Sequence, residues 1–296
     1  MSHTLSMREE LPKIVFFGTP DIAVWVLSEL ERCGIVPSLI VTKPDTPQGR
    51  KMIMTASPVS VWAQERGIEV YKPPTLKSDE VIEKLRDCGG ELFIVAAYGK
   101  IIPQHILDIP KYGTLNVHPS LLPLLRGASP IRSAILNDMH HTGVSIMLLT
   151  AGMDEGPILA QRAVDISPHE WPISGRVLDE RLSRVGGVLL AETIPLWVRG
   201  DIAPTEQEHS RATYTKKITK DMAEISLADD SYRNLLKIKA YDGWPTAYFF
   251  YEKNGKRVRI NIIDAHIEDN ALTLTRVVPE GKKEMSWETF LRGEGV

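Results

Sequence analysis

Residues 13–30, KIVFFGTPDIAVWVLSEL, decide the fold. The run KIVFF is too short for a buried helix and stops at Gly18-Thr19-Pro20-Asp21, after which Ile22, Val26 and Leu30, with Ala23 and Leu27, recur at helical spacing. The unit is strand, turn, helix. Working outward, residues 36–41 (VPSLIV) predict a second strand, and residues 43–58 (KPDTPQGRKMIMTASP), rich in turn formers, predict a long loop before another helix. Loops of that length inside compact domains are usually functional or mobile. The alternation continues through a strand at 68–71, a helix over about 79–88, the apolar strand 92–97 (LFIVAA) and a strand at 113–117 (GTLNV) that runs into His118-Pro119. Residues 142–149 and 156–164, joined by a turn at 151–155, read as a β-hairpin or two late strands, and a helix over about 173–197 carries Leu178, Leu182, Val185 and Leu189 on one face. Apolar strands alternating with amphipathic helices indicate an open, mostly parallel, Rossmann-like sheet covered on both faces.

Near residues 200–211 the composition turns polar, and beyond it the period shifts towards two. Val258, Ile260 and Ile262 alternate with polar residues after Asn254-Gly255, as do Leu272 and Leu274 after Asp269-Asn270. The expected organisation is a catalytic domain over 1–202, a linker over 203–212, and a small β-barrel-like, OB-like domain over 213–296. A chain of 296 residues with 43% hydrophobic and 25% charged residues is long enough for two such cores, and these values argue against fibrous and disordered classes. Net charge is -3, so any nucleic-acid partner has to be held by local patches. Cys33 and Cys88 lack metal-type spacing, which points to a reducing compartment without a disulfide framework. No signal peptide, membrane span or metal site is expected, and the expected location is the cytoplasm.

The turn FGTPD is not a G-x-G-x-x-G fingerprint and no P-loop lysine follows a glycine run, so a nicotinamide or ATP site lacks its usual support. In an open α/β sheet the crevice lies beyond the carboxyl ends of the strands. That directs attention to Gly18-Thr19-Pro20, Ala97-Tyr98-Gly99, Asn116-Val117-His118 and the turn bearing Asp154. Asn116 and His118 alternate on one strand, so both side chains point to the same face. An amide beside an imidazole can hold a developing oxyanion and exchange a proton near neutral pH, and a carboxylate such as Asp154 can orient or charge the imidazole. On spacing alone a second reading stands beside this one, in which Asn116 and His118 cap the sheet edge and Asp154 closes a turn. The following PSLLPLLRGASPI, with its prolines around leucines, is either a rigid packing loop or a frame whose backbone groups bind a flat polar heterocycle.

Taken in order, FGTPDIA, KPDTPQGR, VAAYGKIIP, LNVHPSLLPLLRGASPI, TGVSIMLLTAGMDEGPIL and ATYTKKI make the chain similar to the methionyl-tRNA formyltransferases of the folate-dependent formyltransferase family. The pattern N-x-H-x-S-L-L-P followed by M-D-x-G-P-I-L carries the family, and ATYTKKI the tRNA branch. This resemblance implies transfer of a formyl group from 10-formyltetrahydrofolate to the amino group of methionine on initiator tRNA, with Asn116, His118 and Asp154 as the catalytic trio. In that reading the amine attacks the formyl carbon, Asn116 and protonated His118 stabilise the oxyanion, and Asp154 keeps His118 charged. It also implies folate contacts from Ala96, Ala97, Tyr98 and Gly99 and from Ser120, Leu121, Leu122 and Pro123, with a cis bond before Pro123. Acceptor-side contacts fall to Gly18, Thr19, Pro20, Arg50 and Lys51, with a monomer and no membrane or metal partner.

Two features depart from the family pattern. Lys51-Met52-Ile53-Met54 stands where relatives often carry further basic residues, and Leu124-Leu125 replaces a basic-plus-aromatic pair. An alternative keeps the chemistry and changes the acceptor to a sugar-nucleotide or other small amine. The added C-terminal module, with Lys216-Lys217, Lys220, Lys253, Lys256-Arg257, Arg259 and Lys282-Lys283, favours tRNA. A catalytically silent binding protein would have no need of the whole trio. A cut before Pro204 is expected to spare folate binding and weaken tRNA binding.

Overall fold

The computed structural model describes residues 11–49, 51–253 and 255–294. The opening unit is β1 (Ile14–Gly18), fully buried, followed by α1 (Asp21–Arg32). Asp21 lies in the first turn of α1 and Arg32 in the last, complementing the helix dipole. Next come β2 (Leu39–Val41), β3 (Thr46–Gln48), β4 (Ile53–Thr55) and α2 (Pro58–Gln64). The start of α2 is set locally, with Pro58 in its first turn and the Ser57 hydroxyl accepting from the Ser60 amide at 3.1 Å. The expected long loop is therefore not structureless. It holds an antiparallel hairpin, β3 on β4, with Thr46 opposite Thr55 and Gln48 opposite Ile53.

The chain continues through β5 (Glu69–Tyr71), α3 (Asp79–Asp87), β6 (Leu92–Ala96), α4 (Gln104–Leu107), β7 (Thr114–His118), β8 (Arg126–Gly127) and α5 (Pro130–Leu136). Then come β9 (His141–Leu148), β10 (Ile158–Asp165) and the long α6 (Gly175–Arg199). One seven-stranded sheet results, in the order β10-β9-β7-β6-β1-β2-β5. Pairings among β7, β6, β1, β2 and β5 are parallel, and β9 runs antiparallel to β7. Side chains on alternate positions go to opposite faces. Val15, Phe17, Leu39, Val41, Phe93 and Val95 pack with Val81 and Leu85 of α3, whereas Ile14, Phe16, Ile40 and Ile94 are buried on the other face.

Behind β7 the helix α6 comes unusually close. A Cβ on Gly186 would sit 2.6 Å from the Val117 side chain, and one on Gly187 would sit 2.8 Å from the Val26 carbonyl oxygen. The glycines thus seat the helix against β7 and α1, on the side of β7 away from Asn116 and His118.

The last part holds β11 (Tyr214–Thr215), α7 (Ser231–Ala240), β12 (Tyr248–Lys253), β13 (Lys256–Glu268), β14 (Ala271–Pro279), β15 (Met285–Ser286) and α8 (Trp287–Glu294). Strands β12 to β15 form a four-stranded antiparallel sheet in sequence order. Phe249, Ile260, Ile262, Leu274 and Val277 make its core with Leu235 and Ile238 of α7 and Phe290 of α8. The alternation of Val258, Ile260 and Ile262 is realised in β13, and β12 and β15 are the sheet's two edges.

Two compact units emerge. The first comprises the described residues up to 122 with 144–162 and 183–209, and the second 123–143 with 163–182 and 210 onward. Within the second, β8 pairs in parallel with β11, and α5 packs on α7. Arg126 of β8 is fully buried, its guanidinium donating to the Tyr214 hydroxyl at 3.3 Å.

Candidate active site

Strand order reverses between β1 and β6, the place where an open parallel sheet leaves a crevice at its carboxyl edge. Gly18 and Ala96 are direct neighbours there. No side chain fits at Gly18, because a Cβ would lie 2.6 Å from that of Ala23 and 3.1 Å from the Ala96 carbonyl oxygen. The Thr19 hydroxyl donates to the Tyr98 carbonyl at 3.2 Å, tying the two strand-end turns together, and Pro20 caps α1. Ala97 and Gly99 both adopt positive φ, 47° and 71°. For Ala97 that conformation costs about 1 kcal/mol, and it turns the backbone of 97–99 sharply at the crevice. A Cβ on Gly99 would meet the Lys43 ammonium at 2.5 Å, so Lys43 lies along this turn.

Tyr98 departs from the others. Its ring points into the core, 1% exposed, edge-on to Phe17 at 5.6 Å. Its hydroxyl is buried without a hydrogen-bond partner, and burial pushes the phenol up to about 12. Only its backbone faces the turn.

On β7, Asn116 sits in register between Val95 of β6 and Met147 of β9, and His118 opposite Ser145. His118 is 4% exposed. Its Nδ1 lies 3.7 Å from Oδ2 of Asp154, which is ion-pair range and longer than a hydrogen bond. The structure thus brings the histidine and the carboxylate together across a stretch of chain far longer than any local turn. Asp154 occupies a left-handed conformation, φ 52°. Gly156 is required beside it, since a Cβ there would fall 2.0 Å from the Leu148 carbonyl oxygen.

Sequence reasoning missed what holds this turn. Gln207, read as part of a polar linker, is 5% exposed and donates from Nε2 to the carbonyls of Asp154 and Gly156, at 2.9 and 2.7 Å. Ile158 and Thr205 exchange two backbone hydrogen bonds of 2.8 Å beside it. The signal was faint: a lone glutamine in a polar stretch has no period to mark it.

Beyond His118 the backbone is pinned. The Ser120 amide donates to the His118 carbonyl at 2.9 Å. Ser145 donates from its hydroxyl to the Ser120 carbonyl at 2.7 Å and accepts from the Leu122 amide at 3.0 Å. Gln161 Nε2 donates to the Leu122 carbonyl at 2.9 Å and the Ser145 hydroxyl at 2.8 Å. Ser120 and Leu122 are buried, and Leu121 is partly exposed between them. The expected cis bond before Pro123 is corrected by the structure. The bonds before Pro172 and Pro245 are cis, and that before Pro123 is not.

Arg50 lies outside the described residues. Lys51 is exposed at the turn of the β3–β4 hairpin, and Met52, Ile53 and Met54 follow it, all exposed. No cluster of three or more potential metal ligands occurs among the described residues, and no described helix is long and apolar enough to cross a membrane. An amide, a buried imidazole and a carboxylate beside a strained, hydrogen-bonded backbone form a site suited to proton exchange and to stabilising negative charge on a carbonyl oxygen.

Comparison with known proteins gives this geometry a lineage. The formyl transferase family model matches residues 12–193. A methionyl-tRNA formyltransferase from Chloroflexus aggregans is 43% identical over 302 residues, covering 95% of this chain and 97% of its own. Another from Geobacillus thermodenitrificans is 37% identical, covering 96% and 95%. The solved methionyl-tRNA formyltransferase from Clostridium thermocellum shares the fold, with a TM-score of 0.63 at 19% identity over 91% of this chain and 99% of that one. A family match over well over half of the chain and near full-length relatives above 30% identity place the chain in the formyl transferase family, among the methionyl-tRNA formyltransferases.

Proposed function

We propose that the chain transfers the formyl group of 10-formyltetrahydrofolate to the amino group of methionine esterified to initiator tRNA, giving formylmethionyl-tRNA for translation initiation. The observation that carries the mechanism is the approach of His118 Nδ1 to Asp154 Oδ2, 3.7 Å apart, at the carboxyl end of the strand that bears Asn116. The donor supplies an activated one-carbon unit and leaves as the secondary amine of tetrahydrofolate. The methionyl amine attacks the formyl carbon, a new C–N bond forms as the donor's C–N bond breaks, and the proton lost by the attacking amine is balanced by one gained by the departing nitrogen. The Asn116 amide and the His118 imidazolium donate hydrogen bonds to the formyl oxygen as negative charge builds there. Asp154 favours the charged imidazole and relays the proton.

The backbone of Ala96, Ala97, Tyr98 and Gly99 would hold the donor's flat heterocycle, with Ser120, Leu121, Leu122 and Pro123 along its other side. Support comes from the positive φ of Ala97 and Gly99 and from the clamp of Ser145 and Gln161 on the 120–122 backbone, which fixes polar main-chain groups in place. Gly18, Thr19, Pro20, Arg50 and Lys51 would face the acceptor end of the tRNA.

We assign chemistry to residues 1–202, the connection to 203–212 and RNA contact to 213–296. The run 253–259 (KNGKRVR) supports the last, with four basic residues and no acid in a chain of net charge -3. Arg257 and Arg259 lie over Phe250 and Tyr248, each 3.6 Å from the ring centroid, and Arg257 is exposed, with Glu224 3.7 Å away. The enzyme would act in the cytoplasm as a monomer. The test is a competition in which formylfolate is supplied with methionyl-tRNA and an amino-sugar nucleotide together. Formyl transfer to the tRNA is expected, and preferential transfer to the sugar would overturn the acceptor assignment.

A further inference from the structure

Residues 205–207 do not behave as a tether. Thr205 pairs with Ile158 by two backbone hydrogen bonds, and the Gln207 side chain reaches the carbonyls of Asp154 and Gly156. One amide nitrogen therefore spends both protons on the two carbonyls that bracket Glu155, on the turn that presents the Asp154 carboxylate to His118. Asp154 needs such support, because its left-handed φ of 52° is disfavoured for a residue with a side chain. Gly156 at the far end cannot shift towards Leu148, whose carbonyl already fills the space a Cβ would need. The turn is fixed on one side by Leu148 and on the other by Gln207.

We propose that Gln207 is a positioning residue for formyl transfer, holding the Asp154 carboxylate at its distance from His118. The proposal rests on the catalytic reading of Asp154 given above. Gln207 touches no reacting atom in that reading and acts through the backbone of the turn. The segment between the two sequence-defined domains is thus part of the catalytic apparatus, and its chemistry is specific. A donor with two protons is required at this position, facing two acceptors.

The isosteric Gln207→Glu keeps the shape and replaces the donor by a carboxylate opposed to two carbonyl oxygens. Gln207→Ala removes the group without repulsion. Both variants are measured in the full-length chain for formyl transfer to methionyl-tRNA, alongside Asp154→Asn and the double variant Asp154→Asn with Gln207→Ala. The expected result is a fall in kcat of about tenfold or more in each single Gln207 variant, with KM for formylfolate changed by less than about threefold. In the Asp154→Asn background the Gln207→Ala change should cost nothing further, since the group being positioned is gone. A purely structural glutamine would lower the melting temperature and reduce activity equally in both backgrounds, which would overturn the proposal. Normal turnover of both Gln207 variants with an inactive Asp154→Asn would overturn it while leaving the catalytic carboxylate in place. Normal turnover of Asp154→Asn would remove the reading on which it rests, and the positioning role with it.

Discussion

His118→Ala should lower kcat by roughly 10²- to 10⁴-fold, the range for a group that both donates to a developing oxyanion and handles a proton. Steady-state kinetics with methionyl-tRNA, beside a thermal melt, separates this from instability, because the ring is buried at a strand end rather than in the sheet core. Tyr98 gives the opposite expectation. It stands in the stretch proposed above to hold the folate, yet its phenol is buried, unpartnered and pushed up to about 12. Tyr98→Phe should therefore leave turnover unchanged and be neutral or stabilising by about 1 kcal/mol, since an unsatisfied buried hydroxyl is removed. The sign with pH follows. The folded state holds the phenolic proton more tightly than the unfolded chain, so wild-type stability falls as pH rises from 10 towards 12, and denaturant melts of the Phe variant should lose that part of the slope. Among single residues, the sequence anticipated the approach of His118 to Asp154 but not which way every side chain faces. Asn116 and His118 were readable because strand alternation fixes their side. Tyr98 follows a positive-φ alanine, where alternation no longer applies.

The elements that sequence patterning found are those with a buried face. β1 and β6 are apolar throughout, β7 buries Leu115 and Val117 and α3 is amphipathic, so their burial wrote their period into the chain. The β3–β4 hairpin buries almost nothing. Its Ile53 and Met54 are exposed, Pro47 stands in its first strand, and residues of this kind in a solvated two-stranded ribbon resemble a loop. The pairing on Thr46 and Thr55 comes from backbone hydrogen bonds, which sequence does not display. The β12–β13 hairpin, announced by Asn254-Gly255 and by alternation, was readable for the same reason in reverse. Its outer face makes a prediction about RNA. Arg257→Gln and Arg259→Gln should each reduce the slope of log K against log salt for tRNA binding by about 1, with kcat at saturating tRNA unchanged. Unchanged slopes would remove this face from the interface.

For the whole chain, contiguous halves are a poor guide to what folds together. The segments 123–143 and 163–182 belong with residues from 210 onward, because β8 pairs with β11 and α5 packs on α7. Period and composition could mark the linker near 200–211, but a two-residue parallel pairing such as Arg126–Gly127 with Tyr214–Thr215 leaves no pattern to read. A cut before Pro204 would strip Arg126 and α5 of these partners and remove Thr205 and Gln207 from the Asp154 turn. The truncated chain should accordingly lose formylfolate binding as well as tRNA binding, revising the expectation from sequence. Calorimetric titration of the purified fragment with formylfolate checks it, and wild-type affinity would contradict it. In the proposed mechanism the Asp154–His118 pair, beside Asn116, carries formyl transfer to methionyl-tRNA. Its most direct test is single-turnover formylation of methionyl-tRNA by Asp154→Asn with formylfolate saturating. The expected rate constant is at least about a hundredfold below wild type with the melting temperature retained, and a rate within twofold of wild type would take the chemistry away from this pair.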